Sequence, residues 1–213
     1  MTWERARSDE QKEIRIQEIL TATARLFKKK NYEDISFALI AKEAKFTRSN
    51  LYKYFTTKEE VFLALQMHDI TLWGNGIAEA FDKEKIYTIE EFSSLWKEEI
   101  NKHQRMLKLF GLSATLLEKN VSDEMLIQYK KTIFTIADDV TELLKKILPD
   151  LPQEKILDFI TLQLALASGL YPMSHALTDK QKKVIRKAGI EYEEREFSEF
   201  FGQSIEIILR GMK

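Results

Sequence analysis

Residues 36–55, SFALIAKEAKFTRSNLYKYF, constrain this chain more than any other stretch, because they fit two short helices joined by a tight turn. Apolar side chains at Ile40, Ala41 and Ala44 recur at helical spacing, Lys45 and Phe46 interrupt them, and Leu51 and Phe55 resume one turn apart. Ser36 and Thr47 each precede a helical run, where a hydroxyl can accept a bond from the free N–H groups that follow. With Leu51 and Phe55 turned inward, the second helix offers Thr47, Arg48, Ser49, Tyr52, Lys53 and Tyr54 outward, with no acid among them. Cations, hydroxyls and aromatic rims suit phosphates and base edges, so the expectation is a helix-turn-helix whose second helix enters a DNA groove. Residues 57–60, TKEE, predict a capping box opening a third helix. Lys58 then stands in a first turn whose free N–H groups and positive dipole end favour a phosphate.

Residues 31–58 resemble the N-terminal DNA-binding domain of TetR-family transcriptional regulators. The resemblance rests on Tyr32, Glu33, Ile40, Ala41, Ala44, Leu51, Tyr52, Tyr54, Phe55 and Lys58. Two positions depart from the family pattern, which usually has Gly where Asn31 and Lys45 stand. Asn tolerates a left-handed backbone well, whereas Lys45 has to hold a turn that Gly takes more freely. Lys45 is also expected to add a phosphate contact. The expected DNA-contacting set is Ser36, Lys45, Thr47, Arg48, Ser49, Tyr52, Lys53, Tyr54 and Lys58. The resemblance covers about a quarter of the chain and implies a dimeric regulator, commonly a repressor that occludes a promoter.

The rest of the chain agrees with an all-α plan. Only 7 Gly and 3 Pro punctuate 213 residues, which leaves little for the turns of a sheet-rich fold. The expected organisation is a three-helix DNA-binding head over residues 1–58 and a helical regulatory and dimerisation domain over residues 59–213. The net charge of -1 conceals an asymmetry: the first 60 residues carry 13 Lys and Arg against 10 Asp and Glu, the remainder 20 against 24. The basic end is the DNA end. The absence of Cys excludes disulfides, thiolate metal sites and cysteine redox sensing, and fits a cytoplasmic protein. Residues 1–18 are charged throughout and are not taken as a signal peptide.

In chain order, residues 8–11 predict a capping box ahead of a helix with Ile16, Ile19, Leu20, Ala24 and Phe27 on one face and Lys28, Lys29 and Lys30 at its end. Val61, Phe62, Leu65, Ile70 and Leu72 predict a long helix up to Gly74 and Gly76. Residues 88–91 predict another capping box before Phe92, Leu95, Trp96 and Ile100, and Ser122 caps an amphipathic helix that Pro149 stops. Pro152 suits the opening of a helix that is uncharged over residues 159–178. Its scattered Thr161, Gln163, Ser168, Pro172, Ser174 and His175 argue for a core or interface helix rather than a membrane span. Residues 178–196 are expected to be a charged connection. Residues 197–212 are expected to be an amphipathic helix with Phe200, Phe201, Ile205, Ile208 and Leu209 exposed on one side. The resemblance implies that residues 159–175 and 197–212 pair with their copies in a homodimer, which also suits half-sites about 34 Å apart.

Nothing in the sequence supports catalysis: there is no phosphate loop, no nucleophile elbow, and His68, His103 and His175 lack metal-ligand spacing. No cofactor or metal is expected, and the adjacent acids Asp138 and Asp139 point apart on a helix. Two versions of the binding protein remain. In one, a small effector enters the body and shifts it away from the DNA-binding state. Trp96, His103, Phe110, Tyr129, Phe134, Gln163 and Tyr171 are its expected lining, which favours a largely apolar ligand. In the other, the body only dimerises and DNA binding is constitutive or controlled by another protein.

Overall fold

The structure, a computed structural model, describes residues 3–113, 115–175, 179–191 and 196–213. The described residues form ten α-helices and two 3-10 turns, with no strand. The helices are α1 (Trp3–Lys29), α2 (Phe37–Glu43), α3 (Arg48–Leu51), α4 (Lys58–Ala80), α5 (Ile89–Lys102), α6 (Gln104–Ser113), α7 (Asp123–Ile147), α8 (Gln153–His175), α9 (Asp179–Lys187) and α10 (Phe197–Met212). They pack as two units, Met1–His68 with Leu112–Lys131, and Asp69–Gly111 with Thr132–Lys213.

The first unit is built on a small apolar core. Ile19, Leu20, Leu26 and Phe27 of α1 are buried, as are Ile35, Ile40, Leu51, Phe55 and Phe62. The Phe62 ring lies edge-on to Phe27 at 5.3 Å and to Tyr32 at 5.0 Å between centroids. Each such burial contributes about 1.5–3 kcal/mol, so the core holds the short helices α2 and α3, which would not persist alone. α1 begins ahead of Ser8, so the expected capping box at residues 8–11 lies inside the helix. Asn31 is extended, with φ -71° and ψ 158°, and the left-handed backbone expected there is absent. The bend it serves is made instead by the 3-10 turn Tyr32–Asp34.

The turn between α2 and α3 follows from backbone bonding. Ala44 caps α2, the Lys45 N–H donates to the Lys42 carbonyl at 3.1 Å, and the Phe46 N–H donates to the Ala41 carbonyl at 2.8 Å. This is a Schellman pair, and it demands a left-handed residue between the cap and Phe46. Lys45 supplies it with φ 62°, the one positive φ among the described non-glycine residues. The cap of α4 differs from the expected box. The Glu60 N–H donates to Thr57 Oγ1 at 3.1 Å, but the Glu60 carboxylate accepts from the Thr56 N–H at 2.6 Å and from the Ser122 N–H and Oγ. Glu60 is 3% exposed. Burial pushes its carboxyl up, and the bonds from Thr56 and Ser122 outweigh that, leaving it below the ordinary range.

The second unit holds its helices by close approach. α4 runs through Gly74 and Gly76 to Ala80, where the sequence suggested a stop. The reason is contact across the unit: a Cβ on Gly74 would lie 2.8 Å from Ile136 Cγ2, and one on Gly76 would collide with the Glu99 carboxylate. Leu72 is exposed. Trp96 is fully buried among Trp73, Phe81, Phe92 and Phe159, with centroid distances of 5.1–6.1 Å. The capping box of α5 forms as expected, with Thr88 and Glu91 exchanging bonds with each other's N–H. α10 packs on α5 and α8, so Phe201, Ile205 and Leu209 are buried within the chain rather than exposed, and Ile207 is left outside. α8 buries Ile156, Phe159, Gln163, Ala167 and Tyr171 while Leu157, Leu162 and Met173 remain exposed. By length and composition alone, Gln153–Ser174 would suffice to cross a bilayer. Part of the expected charged connection is a helix, α9, whose Lys-rich sequence obscured its periodicity.

Candidate nucleic-acid interface

The site grows from one cap. Thr47 is extended, and its Oγ1 accepts the Asn50 N–H at 3.2 Å, which starts α3 at Arg48. Only Arg48–Leu51 is α-helical, and bonds from the Lys53 N–H to Asn50 and from the Tyr54 N–H to Leu51 continue it as a turn. Leu51 and Phe55 are buried, which fixes the roll of this short element. Lys45, Thr47, Arg48, Ser49, Asn50, Tyr52 and Lys53 are consequently exposed together. Asn50 was not among the residues expected from the sequence, although its amide can pair with adenine in the same way that arginine pairs with guanine.

Side-chain contacts order part of this surface. Arg48 Nη2 donates to Tyr52 Oη at 3.2 Å, and its guanidinium carbon lies 5.7 Å from the centre of the Tyr52 ring. Thr47 Oγ1 and Ser49 Oγ are 3.2 Å apart. Ser36 Oγ accepts the Leu39 N–H at 3.2 Å, so it caps α2 while its own hydrogen can still donate. Tyr54 is half-buried with its ring 6.0 Å from Phe46, a less accessible position than that of Tyr52. Lys58 is half-buried: its Nζ donates to the carbonyls of Tyr32 at 3.3 Å and Ile35 at 3.2 Å and lies 4.0 Å over the Tyr32 ring. Two of its three N–H donors are thereby used inside the unit, and one is left for an anion. Tyr32 Oη donates to Glu59 at 2.7 Å, and burial followed by that bond drives the phenol well above its ordinary pKa.

The residues expected to line an effector site are distributed over both units. Trp96 and Gln163 are brought together in the second, where Trp96 Nε1 donates to Gln163 Oε1 at 3.2 Å and Gln163 Nε2 donates to the Ile160 carbonyl. In the same unit, His103 Nε2 is 3.0 Å from Glu99, which also accepts from Lys102, and Tyr171 Oη donates to Gln104 at 3.0 Å. Phe110 is half-buried and Phe134 is 66% exposed. Tyr129 belongs to the first unit, where burial pushes its phenol up to about 12. Trp73 Nε1 and Ser93 Oγ are buried without a hydrogen-bond partner. Among the described residues, no group of His, Asp and Glu is arranged to hold a metal ion.

Comparison with known proteins gives a consistent result. Residues 67–213 match the family described as Tetracyclin repressor-like, C-terminal domain, and residues 19–65 match Bacterial regulatory proteins, tetR family. The fold is similar to that of the fatty acid degradation regulator FadR from Bacillus halodurans, with a TM-score of 0.56 and 14% identity over 91% of this chain and 94% of that one. It is also similar to the TetR-family transcriptional regulator PfmR from Thermus thermophilus, with a TM-score of 0.52 and 16% identity over 92% and 98%. A search of curated proteins finds no match.

Proposed function

The chain belongs to the tetR family of bacterial regulatory proteins, and from that premise we propose that it binds a palindromic operator as a homodimer and represses transcription from it. The observation that carries this reading is the acid-free exposed set from Lys45 to Lys53, centred on Arg48 and Tyr52. In the proposal, Arg48 reads a base, most simply a guanine through a forked contact, with Ser49 and Asn50 beside it. Lys45, Lys53, Lys58, Ser36, Thr47, Tyr52 and Tyr54 position the head on phosphates. Dimerisation is supported by apolar groups that the single chain leaves outside: Leu157, Leu162 and Met173 on α8 and Ile207 on α10. A regulator of this kind works in the cytoplasm, beside the chromosome.

We also propose that a largely apolar effector releases the DNA. What supports it is that Trp73 Nε1 and Ser93 Oγ, in a body otherwise packed with aromatic rings, are among the buried polar groups without a partner. Buried polar atoms in native proteins normally have partners, and a ligand oxygen would supply one. The Trp73 ring lies 5.8 Å from Trp96, and in the proposal such a ligand sits beside the expected lining residues Trp96 and Gln163. The second reading, a constitutive dimer without effector, is favoured by the mutual satisfaction of Trp96 and Gln163.

Selection of bound duplexes from random DNA tests the operator. The expected product is a palindrome, and Arg48→Ala is expected to lose about 1–3 kcal/mol of preference at one base pair of each half-site while binding non-specific DNA nearly as before. No enriched sequence, or an unchanged preference in Arg48→Ala, overturns the assignment. Titrating the complex with neutral aromatics, hydrophobic cations and fatty-acid-like anions while following tryptophan fluorescence tests the effector. DNA release by highly charged compounds alone would contradict an apolar ligand.

A further inference from the structure

We infer that Phe37, on α2, is a specificity-determining positioning residue: it braces Tyr52, and Tyr52 holds the Arg48 guanidinium ready for a base. The inference rests on the reading of Arg48 as the base reader. The Phe37 and Tyr52 rings meet at 4.8 Å between centroids with their planes tilted by 39°. Tyr52 Oη in turn accepts from Arg48 Nη2 at 3.2 Å, and the guanidinium carbon lies 5.7 Å from the centre of the Tyr52 ring. Phe37 is half-buried, Tyr52 is 47% exposed and Arg48 is exposed, so the chain of contacts leads from the body of α2 out to the surface of α3.

The chemistry of the three residues assigns their roles. Phe37 has no hydrogen-bonding group and makes no forked contact with a base. Tyr52, in accepting from Arg48, leaves its own hydrogen for a phosphate oxygen. Arg48 keeps four of its five N–H donors, enough for a fork onto guanine. An unbraced arginine on a surface samples many rotamers, and each must be frozen on binding. Bracing removes part of that cost beforehand, for the correct base pair only, because other base pairs do not use the fork. The expected consequence is a preference about three- to tenfold larger than an unbraced Arg48 would give. Affinity for DNA in general, which comes chiefly from cations on phosphates, depends on it only through the one neutral contact of Tyr52.

The test uses the full-length protein, the duplex most enriched by the wild type from random DNA, and the same duplex changed at the base pair where Arg48→Ala relaxes selection. Phe37→Ala is expected to reduce the preference between these two duplexes about three- to tenfold while leaving the salt slope unchanged and lowering scrambled-duplex affinity by less than the preference. Phe37→Tyr is expected to restore the preference, because it keeps the ring. In an Arg48→Ala background, Phe37→Ala is expected to have no further effect on it. Should Phe37→Ala unfold at the assay temperature, Phe37→Leu keeps apolar volume without the ring and is expected to show the same loss. A wild-type preference in these Phe37 variants, or a loss that persists in full in the Arg48→Ala background, overturns the bracing role. If Arg48→Ala by itself still lowers the preference, base reading by Arg48 survives that result. If Arg48→Ala relaxes selection nowhere, the base-reading assignment and the brace both fail.

Discussion

The DNA-facing unit and the C-terminal unit restrain their helices by opposite means. Around α2 and α3 the restraints are local: Ser36 and Thr47 cap the next turn, and Lys45 closes a Schellman pair within five residues of Ala41. In the body they are distant in sequence: Gly74 against Ile136, Gly76 against Glu99, and Trp96 bonded to Gln163. Local restraints set the orientation of a short helix without burying its outward side chains, which leaves Arg48, Ser49 and Tyr52 available to DNA. Distant restraints bury whatever they join, so a body built this way has few polar groups to offer, and an unpartnered one such as Trp73 Nε1 stands out.

The sharpest way to break this contrast is to remove the ring at the centre of the body. Trp96→Ala deletes a fully buried side chain touching four aromatic neighbours, and the expected loss is about 3–5 kcal/mol of unfolding free energy, read by denaturant titration. A loss below about 1 kcal/mol would mean that the ring is not packed as described and would favour an open effector cavity around it.

Glu60 is a distant restraint in the first unit, unlike the local ones around α2 and α3, since Ser122 donates to it from a remote part of the sequence. Glu60→Gln is expected to cost about 1.5–3 kcal/mol at pH 7, because charged hydrogen bonds lose their acceptor charge. Its folded-state pKa lies below the ordinary value of 4.5, so the wild-type advantage is present above that value and is lost as the pH falls through the folded pKa. Thermal unfolding of the two proteins from pH 7 downward should therefore converge on the acid side. Curves that stay parallel through the carboxylate range would show that the charge of Glu60 contributes nothing.

The same division explains what could be read from the sequence. The caps at Ser36, Thr47 and Thr88 were legible because a hydroxyl and the N–H it accepts lie within three residues of each other. The left-handed turn at Lys45 was legible through the family resemblance, which implies glycine there. The continuation of α4 through Gly74 and Gly76 was not, because the contacts that require glycine there come from α7 and α5. Nor was the inward placement of Phe201, Ile205 and Leu209, which depends on α5 and α8 being present to cover them. Asn50 and Phe37 were not legible for another reason: the exposure of Asn50 and the ring contact of Phe37 with Tyr52 exist only in the fold.

The smallest effect concerns Lys45, where stability and DNA binding are expected to move in opposite directions. Its φ of 62° places a residue that carries a Cβ where glycine is at ease, at a cost of about 1–2 kcal/mol for an ordinary side chain. Lys45→Gly keeps the Phe46 to Ala41 bond that defines the turn and is expected to raise unfolding free energy by about 0.5–1 kcal/mol, after the greater freedom of glycine in the unfolded chain is allowed for. The same change removes an exposed cation next to α3. If Lys45 meets a phosphate, the slope of log affinity against log salt falls by about one per half-site, equally for operator and scrambled DNA. A more stable protein with an unchanged salt slope would remove Lys45 from the interface and leave it as a strained turn residue only. A less stable one would show that the Lys45 side chain contributes packing that outweighs its backbone strain, and the head would then depend on more than local bonds.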